Sequence, residues 1–207
     1  MIRSGRKGAI NLYQKPSNGA GSEELLVESP QVKTANDWSA DGRFILYESV
    51  DPKTGSDLWV LPLDEDRKPR VFLKTEFDER DGQFSPDGRW VAYRSDESGR
   101  LETYVRPFPG PGAQWQVSTA GGIAPRWRPD GKELYYIAPD GRLMAVPIGV
   151  QGATLEPGTP APLFQTRIFG GGQYDVALDG RFLINVTTGD AITSPITLIQ
   201  NWKPSQP

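Results

Sequence analysis

The sequence predicts an all-β fold, a β-propeller of four-stranded antiparallel blades, with about four to five blades in an incomplete or open ring. One observation is a turn that recurs along the 207 residues, with an Asp-Gly pair followed by a basic residue. Four such pairs, at 41, 87, 130 and 179, are separated by 46, 43 and 49 residues, close to the propeller period of about 40–45 residues. Between them lie short runs of aromatic and β-branched residues, separated by Gly and Pro, which favour strands.

Each Asp-Gly pair is interpreted as the centre of a tight turn between two strands. The Asp side chain can accept hydrogen bonds from nearby backbone N–H groups, and Gly can adopt a positive φ. This turn chemistry explains the spacing, so we interpret the Asp residues as structural rather than catalytic or metal-binding. The first three pairs follow an aromatic residue by three positions, and the fourth is a weaker copy. The pairs are Asp41 and Gly42, Asp87 and Gly88, Asp130 and Gly131, and Asp179 and Gly180.

The repeat predicts a single domain, because each blade must pack on the next. Two strand candidates near the N-terminus match the third and fourth strands of a blade, and three near the C-terminus match the first, second and third. These two sets overlap, so the ring should stay open and self-association is possible. A Pro- and Gly-rich loop is predicted over 149–162. The predicted units are a partial blade at 1–35, blades at about 36–78, 79–122 and 123–168, a final partial blade at 169–202, and a tail at 203–207.

Composition excludes several classes of function. The net charge is −3, so there is no basic footprint for a nucleic acid. The chain has no Cys and no His, which removes thiolate and imidazole metal ligands and the usual base of a Ser or Cys nucleophile. We therefore predict no catalytic residue, no metal and no cofactor. Residues 1–8 are basic, but no apolar run of signal-peptide or membrane-span length follows, so the chain as written is expected to be cytoplasmic.

Two groups of residues are candidate binding elements. The aromatic residues before the turns, Trp38, Phe84 and Trp127, could stack on a ligand, but we favour packing between neighbouring sheets. A charged run precedes a predicted first strand, which in a propeller lines the central channel, and two other residues occupy comparable positions in their blades. The run could bind a cation or a basic partner, but we favour a solvated loop, since most charge runs are solvated. The possible ligand or partner rim comprises Asp37, Asp78, Glu79, Arg80, Asp81 and Arg126.

The repeated turn resembles the WD-repeat-like propeller repeats of the TolB type. Further stretches, at 59–63, 95–100, 104–109, 175–183 and 194–202, resemble the C-terminal propeller of bacterial transmembrane serine/threonine kinases. The resemblance covers nearly the whole chain, but the catalytic motifs of a kinase are absent. It implies an extracytoplasmic or periplasmic domain of a longer membrane protein.

The sequence leaves two classes of function open. The first is a non-catalytic binding or scaffold module, which would sense a small ligand or dock a protein or peptide. The alternative is a propeller associated with a hydrolase, either with a glycosidase-like pair of carboxylates or beside a serine peptidase domain. The missing His and the absence of a Gly-x-Ser-x-Gly motif disfavour peptidase activity within this chain.

Overall fold

The computed structural model describes residues 2–4, 9–64, 66–168 and 174–185, with the backbone alone for 2–4. These residues form strands and turns in five antiparallel sheets, and none of them is helical. No helix in this part of the chain is thus long and apolar enough to cross a membrane. The third strand predicted for the last blade, at 196–202, and the tail at 203–207 lie outside the described residues.

Blades 2 and 3 are the regular units, each with four antiparallel strands in chain order. The strand nearest the channel is called the inner strand below. Blade 2 consists of β4 (Lys33–Trp38), β5 (Phe44–Asp51), β6 (Gly55–Pro62) and β7 (Arg70–Leu73), and blade 3 of β8 (Arg80–Phe84), β9 (Trp90–Ser95), β10 (Glu102–Pro107) and β11 (Trp115–Gln116).

Blade 1 contains one strand more than the two that the sequence predicts. Its order is β1 (Ile2–Ser4), β2 (Asn11–Gln14) and β3 (Glu24–Val27), so β1 occupies the second position of a blade. The overlap between the chain's two partial blades therefore involves the second strand among the described residues. No strand of the described residues occupies the inner position of blade 1, and the sheets do not close into a ring.

In blade 4, strands occupy most of the region 149–162, which the sequence predicts as a loop. Strand β14 continues through ten residues, turns at Gly152 with φ of 62° and pairs with β15 before β16 returns to the first half of β14. The prediction was wrong because the Gly and Pro content hid the alternation of Ile148, Val150 and Leu155. The strands are β12 (Ile123–Trp127), β13 (Glu133–Ile137), β14 (Arg142–Gln151), β15 (Thr154–Pro157) and β16 (Ala161–Gln165), followed in blade 5 by β17 (Tyr174–Val176) and β18 (Phe182–Ile184).

The four repeated turns, at Asp41, Asp87, Asp130 and Asp179, all connect the inner strand of a blade to its second strand, so they lie at the same edge of successive blades. In each, the carboxylate accepts the backbone N–H of the basic residue two positions later, and the glycine has a φ between 68° and 82°. Hydrogen bonds from Ser39 and from the backbone and side chain of Arg43 lower the pKa of Asp41 to about 2. Turn formation thus explains the repeat.

The hydrophobic core consists of clusters between neighbouring sheets. Between blades 3 and 4, for example, Trp90 and Val105 pack with Trp127, Leu134 and Val146. Because the apolar faces meet between blades, each blade is stabilised mainly by its neighbours.

An equivalent backbone hydrogen bond occurs at three of the joints between neighbouring blades. The N–H of Lys33, Glu79 or Gly122 donates to a carbonyl oxygen at or just before the start of the third strand of the preceding blade, at 3.0, 2.7 and 3.0 Å. Lys33, Glu79 and Gly122 are therefore equivalent positions. The residue after each accepting carbonyl is buried and can accept hydrogen bonds; the three are Asn11, Asp57 and Glu102.

Candidate ligand-binding cleft at the channel

The inner strands of blades 2 to 5 converge on a cleft of about 490 Å³. Its size lies within the range of about 300–1,000 Å³ that is typical of small-molecule sites. The strands supply most of the lining, and β18 and the residue after it supply the rest. The lining residues are Thr34, Ala35, Asn36, Asp81, Gly82, Arg126, Tyr174, Asp175, Leu183 and Asn185.

A β-bulge interrupts β4, β8 and β12 at the same place, beside the cleft. One extra residue enters each strand, between 35 and 37, between 80 and 83, and between 123 and 126. Within two of these bulges, Asp81 and Ala124 have positive φ of 56° and 53°. Bulges bend a strand and redirect its side chains, and a non-glycine residue at positive φ is strained. The cleft wall is therefore irregular backbone held in place by the blades behind it.

The inner strands are tied together by a side-chain latch at one repeated position. The Asp37 carboxylate accepts the backbone N–H of Phe84 in the next blade at 2.8 Å, and the Gln83 amide oxygen accepts the N–H of Trp127 at 2.9 Å. Both latches lie immediately before the aromatic residue of their own turn. The latch thus fixes one blade's inner strand against the next.

Arg126 occupies the latch position of blade 4, where it cannot act as an acceptor. Its Nε donates to the carbonyl oxygen of Tyr174 at 3.3 Å, and its Nη1 donates to the carbonyl oxygen of Pro125 at 2.7 Å. The guanidinium also lies 5.7 Å from the centre of the Tyr174 ring, a cation–π distance. Tyr174 is buried and donates its hydroxyl to the carbonyl oxygen of Ala124, so the joint to blade 5 is formed around these two side chains.

Most carboxylates beside the cleft are already engaged. Asp37 accepts an N–H on each oxygen, and burial raises its pKa, with Asp175 adding to the rise and Arg126 opposing it. Asp81 forms an ion pair with Arg94 at 3.0 Å, although the geometry does not align as a hydrogen bond. Glu48, behind the wall, accepts the Asn36 amide and the N–H of Asp81, and burial raises its pKa.

Asp175 differs from these carboxylates because its side chain is exposed. Its only hydrogen bond among the described residues is with the N–H of the adjacent Val176, at 2.8 Å. It occupies the same position as Asp37, four residues before the Asp of its turn. That spacing could have identified it from the sequence, but the weaker fourth turn hid it. Asn36 and Tyr174 were also missed.

The six predicted rim residues separate into two groups. Asp81 and Arg126 line the cleft, and Asp37 lies beside it at the latch. Asp78 accepts the N–H of Ser56 and pairs with Arg80 at 2.7 Å, away from the cleft lining. Whether any of them contacts a ligand stays a prediction.

Glu79, the sixth residue, does not fit a solvated loop. It is 1% exposed, and its Oε2 has no partner among the described residues. Thr75 donates its hydroxyl to Oε1. Burial, with Asp57 and Glu97 adding, raises the pKa of Glu79 to about 7, against the hydrogen bonds from Thr75. The run was misread because burial of this residue depends on the preceding blade.

The aromatic residues before the turns follow the packing interpretation at two positions out of three. Phe84 and Trp127 are buried, but Trp38 is 41% exposed. The difference has a structural reason: among the described residues, no inner strand of blade 1 lies at that position to cover the Trp38 ring. Within the described ranges, no group of three or more acidic side chains is arranged to hold a metal ion.

Solved structures with a similar fold are known for other proteins. No protein-family profile and no curated sequence matches the chain. The solved structure of TolB from Acinetobacter baumannii is similar with a TM-score of 0.65 at 16% identity, over 88% of this chain and 44% of that one. A protein described as TolB from Agrobacterium tumefaciens gives a TM-score of 0.59 at 20% identity, over 75% of this chain and 58% of that one.

The chain has the fold of a TolB-like β-propeller. It spans about half the length of these TolB structures. A puromycin-hydrolysing peptidase from Mycobacterium tuberculosis is also similar, with a TM-score of 0.55 at 21% identity, over 81% of this chain and 30% of that one. At these identities the likeness concerns the fold, and the TolB-like propeller is thus shared with an enzyme.

Proposed function

We propose that this TolB-like propeller is a non-catalytic binding module whose recognition surface is the cleft between its inner strands. The main support for the proposal is that protein groups already bind most of the carboxylates beside the cleft. Asp37 has both oxygens occupied by backbone N–H groups, and Asp81 is paired with Arg94. A general acid or nucleophile needs a carboxylate oxygen within reach of the substrate, and both oxygens of Asp37 already accept backbone N–H groups.

The hydrolase alternative requires two available carboxylates, as in glycoside hydrolysis. Asp37 and Asp175 are near enough to influence each other, and the pKa of Asp37 is raised. The Asp37 oxygens are engaged with N–H donors, however, so of these two carboxylates only Asp175 is free to act. This supports binding over hydrolysis.

A partner that enters the cleft would meet an uneven surface with hydrogen-bonding groups from four blades. We propose a protein or peptide partner, or a small ligand. The resemblance to kinase propellers makes a sensing role attractive, and the kinase context stays a prediction. A kinase reading frame directly upstream in the genome would support it.

Affinity capture with the purified chain tests the proposal when wild type is compared with a variant altered in the cleft. We expect a partner that is recovered with the wild-type chain and lost with Asp175→Asn, which keeps the hydrogen bond to Val176. The same preparation should hydrolyse no ester, peptide or phosphate substrate. Saturable turnover that a single carboxylate substitution abolishes would replace the binding proposal with the hydrolase alternative.

A further inference from the structure

Arg126 and Asp175 carry opposite charges in the same cleft and do not pair with each other. Arg126 uses Nε and Nη1 on backbone carbonyl oxygens, and no carboxylate of the described residues forms an ion pair with it. Asp175 accepts the N–H of Val176 and has no cationic partner in the same part of the chain. One guanidinium nitrogen and one carboxylate oxygen are thus available on adjacent inner strands.

The surroundings keep the Arg126 side chain in place without neutralising it. The Tyr174 ring supports one side of the guanidinium, and the hydrogen bond from Tyr174 to Ala124 holds that ring. A charged group held by its own scaffold needs little reorganisation when a ligand arrives, so less affinity is lost on binding.

The balance of charge argues against a simple anion or a simple cation. The carboxylates of Asp37, Asp81 and Asp175 surround or line the cleft, against the guanidinium groups of Arg94 and Arg126. An anion on Arg126 would be repelled by the acidic neighbours, and a cation on Asp175 would be repelled by Arg126. A molecule that carries both charges avoids both penalties.

We propose, building on the binding role above, that the cleft takes a short zwitterion of the α-amino acid class, with its carboxylate on Arg126 and its ammonium on Asp175. A carboxylate is a planar acceptor that matches the guanidinium donors. An ammonium is a compact donor group that suits the exposed carboxylate of Asp175.

A series of four probes separates the contributions of the two charges. Binding of L-alanine, N-acetyl-L-alanine, L-alaninamide and γ-aminobutyrate to the full chain would be followed by amide chemical shifts, at concentrations of about 1–100 mM because so small a ligand binds weakly. L-Alanine should bind at least about tenfold more tightly than the two blocked derivatives. γ-Aminobutyrate, with a longer spacing, reports the separation of the charges.

Matched variants assign the contacts. Asp175→Asn and Arg126→Gln should each weaken L-alanine binding by about tenfold or more. Asp179→Asn, in the turn of the same blade, should leave it unchanged. Because Arg126 also contributes to the joint with blade 5, Arg126→Lys, which keeps the charge, serves as a second variant, and the amide spectrum verifies that each variant is folded.

Equal shifts from all four probes, or no binding of L-alanine, would overturn the zwitterion assignment. A protein partner lost with Asp175→Asn would still support the binding module in that case. If the cleft variants changed neither amino acid binding nor partner capture, both proposals would fail.

Discussion

The joint between blades 1 and 2 and the joint between blades 2 and 3 have the same backbone hydrogen bond. The buried side chains beside that bond carry opposite charges. In the first, Lys33 is 1% exposed, and its ammonium donates to Asn11 Oδ1, Ser29 O and Gln31 O at 3.0, 3.1 and 2.8 Å. In the second, the residue equivalent to Lys33 is Glu79 and that equivalent to Asn11 is Asp57, which is also buried.

The hydrogen bonding of the two joints differs accordingly. Lys33 has three donors and three acceptors, so its charge is fully hydrogen-bonded, although burial lowers its pKa. At the second joint, Lys74 and Thr54 donate to Asp57 Oδ2, but Asp57 Oδ1 and Glu79 Oε2 have no partners among the described residues. The repeated backbone therefore fixes where a buried polar residue lies, and the side chain decides whether that residue stabilises or weakens the joint.

Removing the ammonium from the first joint should give the largest effect. Lys33→Met would leave Asn11 Oδ1 and two carbonyl oxygens without their donor, and we expect the free energy of unfolding to fall by about 3 kcal/mol. Urea denaturation measures this loss. Lys132→Met makes the same chemical change at an exposed position and should alter stability by less than about 0.5 kcal/mol. Equal stability of the two variants would mean that the Lys33 hydrogen bonds do not hold the joint.

Removing the charge of Glu79 from the second joint should stabilise the protein. The pKa of Glu79 is raised from 4.5 to about 7, so the folded state holds this proton more tightly than the unfolded state. Burial of Glu79 does not lower the free energy of unfolding below about pH 4.5, where the side chain is protonated in both states. As pH rises from there to about 7 the free energy of unfolding falls, and above about pH 7 Glu79 causes no further fall. Glu79→Gln should therefore raise the free energy of unfolding at neutral pH by about 1–3 kcal/mol.

Denaturation at a series of pH values between about 4 and 8 tests the same variant across the titration of Glu79. Glu79→Gln should remove most of the fall in stability over this range. Glu76→Gln, at an exposed position in the same loop, is the control and should keep the wild-type profile. A variant with the wild-type slope would show that Glu79 is ionised in the fold without penalty.

Giving the first joint a carboxylate should strengthen it modestly. Asn11→Asp would replace a neutral acceptor of the Lys33 ammonium with a charged one, and hydrogen bonds between ionised groups are stronger. We expect a gain of about 1 kcal/mol in unfolding free energy at pH 7, since burial of the new charge offsets part of the attraction. Asn18→Asp, at an exposed position in the following loop, should change little. A loss of stability would indicate that the carboxylate's desolvation exceeds its attraction to Lys33.

The smallest effect is expected from Asp57→Asn, which makes the second joint resemble the first. The pKa of Glu79 should move down because Asp57 is the leading charged cause of its rise, but it should stay raised because burial is the largest cause. Net stability should change by less than about 1 kcal/mol, since Lys74 loses part of its attraction. The readout is the pH midpoint of the stability profile. Asp51→Asn, which also weakens the pairing with Lys74, should leave that midpoint in place.

The fold class could be predicted because its main signal is local. Each Asp-Gly turn needs only a carboxylate, a residue that accepts positive φ and a fixed spacing, all visible in the sequence. Strands β1 and β15 were missed because three or four residues next to Gly carry too little pattern to distinguish them from a loop. Arg126 was found from its distance to the turn, whereas Asp175 was hidden by the missing aromatic residue.

Other features of the site and joints depend on contacts between blades. Nothing around Glu79 in the chain distinguishes it from a solvated charge, because its burial comes from the backbone bond to Ser56 and from the sheets on either side. The exposure of Trp38 likewise depends on a neighbouring strand and not on its own turn. Tyr174 likewise contributes to the cleft because Arg126, from the neighbouring blade 4, packs against its ring.

The latch at Asp37 and Gln83 has a consequence for how such repeats can diverge. Each latch accepts a backbone N–H, so it places no demand on the side chain of the residue that it holds. Phe84 and Trp127 can therefore occupy the same position, and any residue with an N–H could replace either one as far as the latch is concerned. Proline alone has no N–H to donate. Neighbouring blades can thus change sequence almost independently at this contact while keeping their mutual orientation.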